Sequence, residues 1–197
     1  MMTRETDGGR VGENRRALVR TSLTALFAAL TAAGTFISIP LLFTPVPIVL
    51  QNMFALLSGL LLGPVSGGAA VGLYLLAGAI GLPVFAGARG GFVQFLGPTG
   101  GFLAGYLLSA LLAGLIAGAP RAGVETPYWR LVLAGLAGML VVYVPGIIQL
   151  KAVLRASWPE AVGVGFLPFI AGDAVKTAIA VVTAGRLRKS VAKALNG

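Results

Sequence analysis

Long uncharged stretches alternate with short polar breaks along this chain. Between Arg20 and Arg89 no Asp, Glu, Lys or Arg occurs, so residues 21–88 are 68 consecutive uncharged positions. One helix across a bilayer needs about 20 apolar residues, so this block holds roughly three. Pro40, Pro45 and Pro47 interrupt it first, and Gly63-Pro64-Val65-Ser66-Gly67-Gly68 interrupts it again. The pattern predicts spans at 19–39, 48–62 and 66–81, the middle one short. A second uncharged block of 31 residues, 90–120, predicts a fourth span at 98–118. The 20 uncharged residues 131–150 predict a fifth at 129–150, and the apolar stretch 165–185, which contains Asp173 and Lys176, a sixth. The expected fold class is therefore all-α, a six-helix integral membrane protein.

Composition supports this reading. Of 197 residues 57% are hydrophobic and 11% charged, with mean hydropathy +0.92, whereas a soluble domain carries about a quarter charged residues. With no Cys and no His, disulfide scaffolds, Cys/His metal sites, thiol nucleophiles and imidazole-based triads are excluded. No cofactor is called for. The net charge of +9 does not indicate nucleic acid, because the basic residues lie at the chain ends and between apolar runs without interleaved aromatics. They set orientation instead. Arg15, Arg16, Arg20, Arg121, Arg130, Arg186, Arg188, Lys189 and Lys193 fall on one side of a six-span layout, and Arg89, Lys151 and Arg155 on the other. The positive-inside rule then puts both termini in the cytoplasm of a cell membrane and the 81–97 and 151–164 loops outside. Residues 1–14 read as a disordered polar tail, 15–190 as the transmembrane domain and 191–197 as a C-terminal tail. The apolar run after the N-terminal charges is too long for a signal peptide.

The chemistry concentrates toward the outer side. An ionisable residue inside a span costs about 2.5–3.5 kcal/mol on insertion scales and marks a functional candidate. Asp173 and Lys176 are three apart and share a helix face. A purely structural pair is the competing reading, but apolar residues of the same shape would hold the fold at least as well. Segment 81–101 has seven glycines among 21 residues yet contains Phe85, Phe92, Phe95 and Leu96, which suits a re-entrant-like loop folded over the bundle rather than a solvated linker. Arg89 is its one charge, either snorkelling to the interface or holding an anion. Thr99 opens the following helix, and Gln51 and Asn52 stand at the head of another, about 100° apart around a helix of 3.6 residues per turn. Which of the two amides faces a cavity stays open. One acid, two bases, an amide pair and several aromatics fit a pocket for a small, mostly apolar molecule with a carboxylate and a hydrogen-bonding head. Ala25, Ala29 and Ala33 are small residues four apart, suited to close packing within the chain or against another membrane subunit.

Four segments, PVPIVLQN (45–52), YLLAGAIGLPVF (74–85), GPTGG (97–101) and PFIAGDAVK (168–176), resemble those of the BioY family, biotin-specific substrate-binding (S) components of energy-coupling-factor transporters. The resemblance spans about Ala17 to Lys189. It implies a six-helix protein that captures biotin from outside, with a membrane coupling (T) subunit and two cytoplasmic ATPases as partners, docked through Ala25 and Ala29 of the first helix. It also implies Asp173 and Lys176 on the ureido head and Arg89 on the carboxylate, with Asn52 or Gln51 as a further polar ligand. Alternatives are an S component for another small vitamin, a stand-alone biotin permease, and a membrane-embedded enzyme, for which Asp173 with Lys176 is the one candidate pair. Whether the protein forms a homo-oligomer stays open.

Overall fold

The computed structural model describes residues 3–196; Met1, Met2 and Gly197 lie outside the described residues. In order, the chain forms α1 (Thr3–Ala33), β1 (Ser38–Leu41), β2 (Thr44–Val49), α2 (Gln51–Ala79), a short 3-10 turn at Phe92–Phe95, α3 (Gly100–Ala117), α4 (Tyr128–Leu154), α5 (Trp158–Gly165) and α6 (Ile170–Asn196).

Three differences from the sequence expectation stand out. Helix α1 starts at Thr3, upstream of the first expected span at 19–39. Helix α6 runs on to Asn196, past the expected span at 165–185. The fold is also not purely helical. Helix α1 stops at Ala33, short of the expected 39, and an antiparallel β1–β2 hairpin follows, with Ser38 opposite Val49 and Leu41 opposite Thr44. Thr35, Ile37 and Ile39 are β-branched and favour extended backbone. Pro40, Pro45 and Pro47 lack the N–H a central strand would need, and a two-stranded hairpin offers outer edges where that is tolerated.

Helix α2 is broken at Gly63, whose φ of 79° and ψ of −178° leave the helical region, and Pro64 follows. The chain reverses there. Ser58 Oγ donates to the Gly67 carbonyl at 3.2 Å, and Gln51 Nε2 reaches the Tyr74 hydroxyl at 2.9 Å, although 23 residues of straight helix would separate them by about 35 Å. The two arms touch through glycine: a Cβ on Gly67 would lie 2.7 Å from Gly59 Cα. The expected breaks between 48–62 and 66–81 therefore coincide with a real turn. The expected spans at 98–118 and 129–150 correspond to α3 and α4. The sixth differs: α5 and α6 meet at a 52° bend around Pro168, and α6 begins only at Ile170, which puts Asp173 in its first turn.

Helices α2, α3 and α4 are long and apolar enough to cross a membrane, and α5 with α6 qualifies if the bent pair counts as one span. Two apolar clusters fill the interior. One, around Tyr74, Phe85, Phe102 and Tyr106, lies under the β-hairpin; the other, around Leu56, Leu60, Leu131 and Val181, fills the half toward the α2 turn. Arg188 closes that second end. It is buried and donates to the carbonyls of Leu60, Ala117 (3.0 Å) and Gly118 and to Thr126 Oγ1 (2.8 Å). Carbonyls at helix C-termini have no partner within the helix, and here one guanidinium supplies donors to the ends of both an α2 arm and α3.

Candidate functional site

The buried face of α6 follows a helical stripe, Asp173, Lys176, Thr177, Ala180, Val181, Ala184 and Arg188, so the two charges face the bundle rather than its surroundings. Lys176 Nζ lies 2.7 Å from Asp173 Oδ1. Asn52, at the start of α2, closes a triangle: its Nδ2 donates to Asp173 Oδ1 at 2.9 Å, and its Oδ1 accepts from Lys176 Nζ at 3.3 Å. Tyr143 on α4 donates its hydroxyl hydrogen to Asp173 Oδ2. Its ring is held edge-on by Phe166, with centroids 4.7 Å apart. The first-turn position of Asp173 also suits a carboxylate, since helix N-termini carry partial positive charge.

Donor and acceptor capacity in this cluster is not exhausted. A lysine ammonium has three hydrogens, and two are directed at Asp173 and Asn52. A carboxylate has about four lone-pair directions; two on Oδ1 and one on Oδ2 are taken. One donor on Lys176 Nζ and one acceptor on Asp173 Oδ2 are left. That pair matches the carbonyl and N–H of a urea or amide.

Two cavities meet at this place. A small one of about 30 Å³ is bounded by Asn52, Tyr143, Phe169, Asp173 and Lys176. A larger one of about 420 Å³ opens beneath the β-hairpin and is bounded by Leu41, Gln51, Phe85, Arg89, Gln94 and Thr99 among others. That volume lies within the range of about 300–1,000 Å³ usual for small-molecule pockets. Val46, Pro47, Val49, Phe102 and Tyr106 contribute to both walls. Arg89 is the single charged side chain of the larger cavity; it is exposed and makes no ion pair among the described residues. It stands at the base of a tight turn in which the Phe85 and Arg89 backbones exchange hydrogen bonds of 2.9 and 3.1 Å. Gly87 and Ala88 there adopt positive φ. The loop is folded over the helices, with Phe85 2% exposed between Tyr74 and Phe95.

The two adjacent amides thus reach different cavities. Asn52 joins the charged cluster. Gln51, 1% exposed, shares its N–H groups among Thr35 Oγ1, Tyr74 OH and the Val84 carbonyl (2.9 Å), tying the end of α1 and the start of the loop to α2. Thr99 caps α3 by position without a side-chain bond and borders the larger cavity. Sequence reasoning missed Thr35, Tyr74, Tyr106 and Tyr143. Each sits in an apolar run where a hydroxyl reads as ordinary core, and only the convergence of separate helices gives it a role. Ala25 and Ala29 are exposed on α1, whereas Phe27, Ala28 and Thr31 face inward.

The BioY family model matches residues 10–193. A probable biotin transporter BioY from Pyrococcus horikoshii is 41% identical over 167 residues, covering 85% of this chain and 94% of its own length. The biotin transporter BioY of Thermotoga maritima is 42% identical over 164 residues, covering 83% and 92%. The crystal structure of the S-component for biotin from an ECF-type ABC transporter superposes with a TM-score of 0.80 at 32% identity, covering 89% of this chain and 94% of that one. The match runs through the hairpin, the folded loop and the charged cluster alike: this chain belongs to the BioY family.

Proposed function

We propose that the protein takes up biotin as the substrate-binding component of an energy-coupling-factor transporter, and that it grips the vitamin at the hairpin end of the bundle. The observation that carries this reading is the buried Asp173–Lys176–Asn52–Tyr143 cluster, with one donor and one acceptor to spare, next to an apolar cavity whose one charge is Arg89. Biotin presents a urea at one end, an apolar thiolane and alkyl chain in the middle and a carboxylate at the other. Asp173 accepts from a ureido N–H, Lys176 donates to the ureido carbonyl, and Asn52 orients both. Arg89 receives the carboxylate below the folded loop, with Thr99 and Gln51 bordering the chain. Val46, Pro47 and Val49 of β2 line both cavities, so a ligand spanning head and tail sites runs along this strand.

The chain crosses the membrane six times in this reading, the two arms of α2 counting separately and α5–α6 together, with both termini in the cytoplasm. The 81–99 loop caps the outer side. Arg121, Arg130, Arg188 and Lys189 gather at the α2-turn end, as a cytoplasmic face requires. The exposed Ala25 and Ala29 offer a close-packing face for a membrane coupling subunit working with two ATPases. Calorimetric titration of the purified protein against biotin and a panel of other vitamins tests the substrate: biotin alone should bind tightly, and tight binding of a different vitamin with none of biotin would overturn the reading. Uptake by cells lacking the ATPases separates an energised component from a stand-alone permease.

A further inference from the structure

Three tyrosines are buried in the apolar cluster under the β-hairpin, and two of them have partners. Tyr74 accepts from Gln51 at 2.9 Å, and Tyr143 donates to Asp173. Tyr106 is 6% exposed, yet its hydroxyl makes no hydrogen bond among the described residues. The phenol hydroxyl of a largely buried ring normally finds a partner, whereas the Tyr106 hydroxyl, accessible from the cavity it borders, has none in the protein. Thr99, Phe102, Leu103 and Tyr106 recur at i, i+3, i+4 and i+7 on α3 and all line the larger cavity. Tyr106 also borders the small cavity with Asp173 and Lys176. The other side chains shared by both walls, Val46, Pro47, Val49 and Phe102, contain no polar atom. The Tyr106 hydroxyl is therefore the one side-chain polar group in that shared wall.

We propose that Tyr106 is a specificity-determining contact whose hydroxyl donates a hydrogen bond to the thioether sulfur of bound biotin. The inference rests on the biotin reading above and assigns the heteroatom that reading leaves without a partner. The ureido oxygen and nitrogens meet Lys176, Asp173 and Asn52, and the carboxylate meets Arg89. Between head and tail the ligand carries a single heteroatom, the ring sulfur, a weak acceptor. A donor at the cavity wall with no protein partner discriminates against a ligand that fills the cavity but lacks the matching acceptor, because such a ligand covers the hydroxyl without pairing it.

The experiment compares the full-length wild type and Tyr106→Phe in detergent by calorimetric titration with biotin and with dethiobiotin, which keeps the ureido ring and carboxylate but has no sulfur. Wild type should prefer biotin. Tyr106→Phe should weaken biotin by roughly three- to tenfold, the scale of one modest hydrogen bond, and leave dethiobiotin unchanged, so the preference narrows. Its unliganded melting temperature should match wild type, since the hydroxyl holds nothing in the protein. Equal losses for both ligands, or no loss for either, would overturn the assignment. A wild type that binds no biotin would instead overturn the functional reading and this inference with it.

Discussion

At the α2-turn end, Arg188 donates to three carbonyls and a hydroxyl of its own chain, so four of its five N–H hydrogens are held by the protein. At the β-hairpin end, Lys176 and Asp173 retain spare bonding capacity, and among the described residues Arg89 makes no ion pair and the Tyr106 hydroxyl no hydrogen bond. Both ends bury charge, but Arg188 holds helix ends together whereas the Asp173 cluster remains open to a ligand. Burial of an ionisable group therefore does not by itself mark a site. An opposite-charge pair with bonding capacity to spare beside an apolar cavity does.

This contrast can be broken by substitution. The largest effect is expected for Lys176→Met, which leaves Asp173 buried without its counter-charge and should cost about 3–5 kcal/mol of stability while abolishing biotin binding. The double variant Asp173→Asn with Lys176→Met should recover most of that stability and none of the binding, read by thermal unfolding and titration together. Arg188→Ala comes next. It orphans the Leu60, Ala117 and Gly118 carbonyls and should lower stability by about 2–4 kcal/mol at an unbound carbonyl cost of about 1–3 kcal/mol each, some rehydrated. Biotin affinity in the folded fraction should not change; a parallel loss of affinity would erase the distinction between the two ends. Arg89→Ala should leave the melting temperature where it is and weaken biotin by roughly 10- to 150-fold, equivalent to about 1.5–3 kcal/mol for a charge-assisted bond. Biotin methyl ester, which lacks the charge, should bind both proteins alike. Smallest is Ala29→Leu, expected to shift stability by no more than about 0.5 kcal/mol at an exposed position. It should still reduce copurification with the coupling subunit.

Much of this was legible from charge spacing. An Asp and a Lys one turn apart within an apolar run can only be retained if they face inward, and α6 places both there. The α2 turn was legible because Gly63 readily leaves the helical region and Pro64 removes the next N–H, inside a stretch with two more glycines at 67 and 68. The β-hairpin was not, since residues 34–49 are as apolar as a span and only their β-branched and proline content argues for extended backbone. Nor was the division of labour between Gln51 and Asn52. Adjacent positions on one helix were expected to point differently, but their partners, Val84 in one case and Asp173 in the other, come from distant segments. Arg188 was counted only as an orienting charge, because three carbonyls converging on it leave no trace in sequence.

The central claim, that a ligand completes the Asp173 cluster, is tested most directly by the melting-temperature rise that saturating biotin produces in wild type and in Asp173→Asn. A ligand at 100 times its Kd adds about 2.7 kcal/mol to the folded state. The account predicts a clear rise for wild type and none for Asp173→Asn, each read against its own unliganded melting temperature, which in the variant should be lowered by the uncompensated Lys176 charge. An equal rise in both proteins would contradict it.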